Sequence, residues 1–125
     1  MTRPIRGIPY SVVLAIIERE GIGPVRDEGL LQSALDRPHT TPMGHPAYPS
    51  TAQKAAALLH SVCLNHALVD GNKRLAAILA LVFLELNGAS FEMTNDELFD
   101  LVMAVASGEL RDVDAIAGSL NVPAS

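Results

Sequence analysis

Six residues in one short stretch have the types and spacing for phosphate chemistry: His66, Asp70, Gly71, Asn72, Lys73 and Arg74. They stand directly before a run, residues 75–84, in which every side chain is apolar, so they fall where a helix begins. Backbone N–H groups at a helix start lack intrahelical acceptors and attract anions, phosphate above all. Gly71 has no side chain to keep a ligand off the backbone, and Lys73 and Arg74 add two cations at the same spot. Asp70 is a lone carboxylate among these donors, which suits magnesium: Mg²⁺ takes one or two carboxylates and leaves its other positions to phosphate and water. His66, four residues upstream of Asp70, is close enough to serve as a base.

A plainer reading stands beside this one. Asp70 is a good N-cap, Gly71 a turn, and Lys73 and Arg74 a solvated first turn. Cations in a first turn oppose the helix dipole, however, so local stability does not explain them. His66 falls on or near the apolar stripe of the preceding helix, and on that ground alone a satisfied core histidine is favoured.

The elements that must position these residues are helical. Residues 75–84 leave no polar face for solvent, so this helix is expected to be wrapped by others as the central post of the fold. The run is closed by Glu85 and is far short of the roughly 20 residues of a bilayer span, and Gly88 supplies a left-handed stop. Ser50 caps a preceding helix over about residues 51–66, with Ala52, Ala55, Ala56, Leu59, Val62, Cys63 and His66 at helical spacing. Cys63 reads there as core rather than nucleophile. His60 faces another way from His66, so the two form no metal clip. A first helix is expected from residue 10 or 11 to 20, stopped by Gly21, and a second from Asp27 to Pro38. Thr94 and Glu97 form a capping box for a fifth helix, and Asp112 caps a short last one over about residues 113–120.

Residues 37–50 hold four prolines and form the longest non-helical stretch. Such loops are functional or disordered. His39 and His45 lie in it without a carboxylate or thiolate nearby and make a poor metal site.

With 125 residues the chain, 1–125, is one domain, long enough for a real core. Its formal charge of −5 and lack of a basic run argue against direct nucleic-acid binding. A single cysteine excludes an internal disulfide framework, and with no apolar signal segment or membrane span a cytoplasmic protein is the simplest expectation.

The run His66-Ala67-Leu68-Val69-Asp70-Gly71-Asn72-Lys73-Arg74 resembles the signature loop of the Fic/Doc superfamily, whose Fic members read H-x-F-x-D/E-G-N-G-R-x-x-R. It is most similar to the death-on-curing (Doc) branch, the toxin half of small toxin–antitoxin pairs, in which a lysine precedes the arginine. Residues 25–38 look like the segment ahead of that family's substrate flap, and Ala106-Ser107-Gly108-Glu109 like its late helix end. Two departures stand out. Leu68 replaces the usual phenylalanine, a position expected to anchor the loop in the core. Lys73 and Ala77 stand where adenylylating Fic enzymes have a second glycine and a further arginine, which leaves their triphosphate grip incomplete.

The resemblance implies an all-α bundle of about six helices around a central apolar helix, with residues 37–50 as a flap that pairs with an extended piece of the target. It implies an enzyme that moves a phosphoryl group from ATP to a Ser or Thr hydroxyl of a protein. His66 would be the general base, neutral when it acts. Asp70 would hold Mg²⁺, Gly71 and Asn72 would line the anion cradle, and Lys73 and Arg74 would neutralise phosphate oxygens. Lys73 and the alanine at 77 favour transfer of the γ-phosphate, a kinase, over transfer of AMP by a protein adenylyltransferase. The family's target class is the translation elongation factor that delivers aminoacyl-tRNA, so translation would stop. No self-blocking S/T-x-x-x-E-G/N helix is found, so a separate antitoxin is expected, its disordered tail folding as a helix into a groove. The competing readings are a non-catalytic helical interaction module and a metal-dependent hydrolase built on His66 and Asp70. The second is weak, for no third protein ligand lies at ligand spacing.

Overall fold

The computed structural model describes residues 4–120 and residue 122. Chain punctuation sets its helices. Pro9 precedes α1 (Tyr10–Glu20), whose Val13, Ile16 and Ile17 face inward and which Gly21 ends at φ 67°. Helix α2 (Glu28–Asp36) begins on Asp27, whose carboxylate accepts from the Leu30 N–H at 3.0 Å. Reciprocal capping boxes start α3 (Thr51–Asn65), from Ser50 and Gln53, and α5 (Asn95–Ala106), from Thr94 and Glu97. Between them runs α4 (Asn72–Leu86), and α6 (Val113–Ser119) follows Asp112, ending one residue earlier than expected. Gly88, at φ 70°, follows the end of α4 as its left-handed stop. Among the described residues the fold is all-α, six helices and two 3-10 turns, with one isolated bridge between Val25 and Leu68. No described helix is long and apolar enough to cross a membrane.

Helix α3 is the hub: α2, α4, α5, α6 and the turn Arg37–His39 all pack against it, and most of its length is buried. Helix α4 was the expected post, and its Leu75, Ala76, Leu79, Ala80, Phe83 and Leu84 are indeed buried. Its Ala77, Ile78, Leu81 and Val82 are only half-buried. The helix is therefore covered on one side and open on the other. A wholly apolar sequence satisfies both a core contact and the wall of a cleft, so it does not tell them apart.

Residues 37–50 form a loop, as expected, and it is tied down. The Arg37 guanidinium donates to the Tyr48 hydroxyl at 2.9 Å, to Ser61 Oγ at 2.8 Å and to His60 Nδ1 at 2.8 Å, and stands 5.4 Å from the Tyr48 ring centre. The buried Lys54 ammonium donates to the Tyr48 carbonyl. His39 meets the Phe83 ring edge-on, with centroids 6.2 Å apart. At 1.5 Å per residue, Phe83 lies roughly 16 Å along α4 from Asn72. Through His39 this loop is thus anchored toward the far end of α4, away from its start at Asn72.

Candidate functional site

Helix α3 ends at Asn65, and His66 turns the chain out of it with a left-handed backbone, φ 53° and ψ 44°. That turn exposes His66, against the expectation of a core histidine: the helix stops one residue short of it, and its buried stripe ends at Cys63. Ala67 and Leu68 then dive into the core at 3% and 1% exposure, so Leu68 anchors the loop as expected. Val69 and Asp70 return to the surface. Gly71, at φ 93°, is the residue from which α4 starts. Asp70 is therefore not the N-cap, and no side chain caps this helix.

Asn72 accounts for the loop's tight closure. Its side-chain oxygen accepts from the Leu68 N–H and its side-chain nitrogen donates to the Leu68 carbonyl, both at 3.0 Å. The side-chain amide thus holds the loop in shape, which leaves the Asn72 backbone N–H as its group for the expected anion cradle. The backbone N–H groups of Asn72, Lys73 and Arg74 find no acceptor among the described residues. No acidic residue stands in the first turn of α4 to offset the positive end of the helix from within.

A second segment, residues 22–27, runs antiparallel beside the loop. Gly23 N–H donates to the Asp70 carbonyl at 2.9 Å, Val69 N–H to Pro24 at 2.9 Å, and Arg26 and Asp27 N–H both donate to Ala67, at 2.7 and 3.0 Å. The Arg26 guanidinium bonds the His66 carbonyl through Nε at 2.9 Å and Nη2 at 2.5 Å. A Cβ placed on Gly71 would come within 2.5 Å of Ile22 Cβ, so the absence of a side chain at 71 is what lets the two segments meet.

His66, Asp70, Gly71, Asn72, Lys73 and Arg74 line one cleft of about 920 Å³, a size typical of small-ligand sites. Its far wall is apolar, with Ile78 and Leu81 of α4 facing Leu98, Phe99 and Val102 of α5. No residue of 37–50 lines it. Sequence reasoning missed Glu20, whose carboxylate sits at the rim and pairs with Arg74 at 3.3 Å and Arg19 at 3.6 Å. Arg26 was also missed; the contacts that bring these two to the site, with Arg74 and with His66, span 40 or more residues and leave no local signal.

Cys63 reaches the floor of the cleft but is 2% exposed. Burial pushes its thiol pKa up, and the nearby Lys73 charge only partly opposes this. A buried, protonated thiol is a poor nucleophile. It belongs to the core, as expected. His60, half-buried on the other side of α3, accepts from Arg37 and takes no part in the cleft.

Comparison with known proteins gives two findings. Residues 10–84 match the Fic/DOC family. Toxin Doc of Mycolicibacterium smegmatis (strain ATCC 700084 / mc(2)155) is 49% identical over 100 residues, which cover 77% of this chain and 75% of that protein. The matched region runs from α1 to near the end of α4 and so contains the loop, the segment beside it and the whole start of α4. The chain belongs to the Fic/DOC family.

Proposed function

We propose that this chain is the toxin of a toxin–antitoxin pair and that it transfers the γ-phosphate of ATP to a Ser or Thr hydroxyl of a target protein, a translation elongation factor by family resemblance. One observation carries the reading: an exposed histidine, a carboxylate and two cations line a single cleft together with a helix start whose first three backbone N–H groups have no acceptor among the described residues. The toxin name of the similar mycobacterial protein supports it.

Phosphoryl transfer asks mainly for positioning and charge neutralisation, which this arrangement supplies. The Asn72, Lys73 and Arg74 N–H groups and the two side-chain cations would hold the phosphate chain. His66 would accept the hydroxyl proton as the target oxygen attacks the γ-phosphorus and ADP leaves with the electron pair of the broken bond. The exposed Asp70 carboxylate fits Mg²⁺, which at this place would neutralise charge on the phosphate oxygens. The apolar wall between α4 and α5 suits an antitoxin helix laid into the cleft.

The test is a pair of incubations with a bacterial translation extract, one with γ-labelled and one with α-labelled ATP. Label from the γ position alone supports the kinase reading. Label from the α position identifies an adenylyltransferase, and neither label leaves a non-catalytic helical module. His66→Ala is expected to lower γ-label transfer by about 10²–10⁴-fold, the usual worth of a general base, while its melting temperature stays near that of the unaltered chain. Transfer undiminished in this variant removes His66 from the mechanism.

A further inference from the structure

We propose that Arg26 is a positioning residue for His66: its guanidinium grips the His66 carbonyl and so keeps the histidine in the left-handed turn that delivers its imidazole to the cleft. The inference rests on the reading of His66 as the base of the proposed transfer.

Left-handed backbone is unfavourable for a residue with a side chain, and among the described non-glycine residues only Met43 and His66 adopt it. Met43 lies in the exposed 37–50 loop, whereas His66 has to hold this shape at the end of a helix. A residue freed to continue α3 in right-handed form would fall on the stripe of Val62 and Cys63, both buried, instead of standing exposed at the cleft. Something must therefore hold the turn. The grip available is a forked one, with two guanidinium N–H groups on one oxygen at 2.9 and 2.5 Å, and hydrogen bonds from a charged donor are among the stronger kind.

Two further observations separate Arg26 from an ordinary surface arginine. Its backbone is fixed to the same loop, since its own N–H donates to Ala67 at 2.7 Å. Main chain and side chain of one residue thus hold two successive carbonyls. The ion pairs found among the described residues, Arg19 with Glu20 and Arg74 with Glu20, leave Arg26 out, so no carboxylate draws its charge elsewhere. Lysine offers a point charge on a flexible stem in place of a fork, and is expected to hold the carbonyl less firmly.

The experiment uses the full chain with Arg26→Ala and Arg26→Lys. The ¹³C shifts of His66 in the ligand-free protein report its backbone conformation, calorimetry gives the dissociation constant for Mg·ATP, and γ-label transfer to a translation extract gives the rate. Arg26→Ala is expected to move the His66 shifts toward right-handed values and to cut the rate about 100-fold, the scale of a small misplacement of a catalytic group. The Mg·ATP dissociation constant should stay within about twofold, because the phosphate-facing N–H groups belong to another element. Arg26→Lys should recover part of both losses, which a purely structural role would not predict. Unchanged His66 shifts, or a rate within about twofold of the unaltered chain, overturns the proposal. So does a fall in ATP affinity that matches the fall in rate, which would mean that the whole site had been lost. If the unaltered chain transfers no label, the proposed function fails, while the His66 shifts still decide whether Arg26 holds the turn.

Discussion

Asn72 is an example of a residue that carries a structural task which the sequence did not announce. At the start of α4 an asparagine suits a ligand cradle, but here both ends of its amide are used on Leu68. Removing it leaves a donor and an acceptor of a half-buried loop unpaired, at about 1–3 kcal/mol for each buried group so orphaned. Asn72→Ala is therefore expected to lower the thermal midpoint by several degrees and to speed amide exchange at Leu68 and its neighbours, which hydrogen-exchange mass spectrometry would detect. Arg74 presents the opposite case. Its pair with Glu20 is 3.3 Å long and the arginine side chain is 64% exposed, so the pairing contributes below about 1 kcal/mol. A triphosphate carries far more charge than one carboxylate, and Arg74 stays available to it. The site residues close in sequence were legible because one turn and one helix start bring them together automatically. Glu20, Ile22 and Arg26 were not, because their places depend on a segment from before α2 docking against a loop after α3.

At the scale of elements, the helices followed local chemistry and the loops did not. Asp27, Ser50, Thr94 and Asp112 each cap the helix expected of them, since a cap needs only neighbours a few residues away. The position of residues 37–50 depends on contacts with α3 that no local pattern announces. Arg37 anchors this loop partly through His60 Nδ1, which must accept, because a guanidinium only donates. Burial first, and then the Arg37 charge, hold the His60 pKa below its ordinary 6.5. As pH falls below 6.5 the unfolded chain takes up this proton before the folded one does, so stability drops between 6.5 and the lowered folded value and levels off beneath it. The urea midpoint is expected to fall between pH 7.5 and pH 5 by more in the unaltered chain than in His60→Gln, which keeps a neutral acceptor that does not titrate. Equal falls in the two would show that His60 contributes nothing to the acid sensitivity.

For the whole molecule, the decisive feature is that α4 is open along one side. Hydropathy predicted a helix wrapped all round, yet Ile78 and Leu81 join α5 in walling a cleft whose polar end is the loop. Phe99 stands on that wall 62% exposed. If an antitoxin helix lies in the cleft as proposed, Phe99→Asp should weaken the complex by about 2 kcal/mol, roughly 30-fold, as for a contact at the centre of an interface. Its melting temperature should hardly change, since the side chain is already in water. Titration of the variant with the antitoxin is the check, and an unaltered affinity would place the partner elsewhere. The end of α1 meets the other side of the same cleft, where Ile22 occupies the volume that any side chain at 71 would require. These two sites, far apart along the chain, are consequently bound to diverge in concert: a relative with alanine at the second must have trimmed the first, and a lineage that keeps isoleucine there can evolve no bulk in the turn.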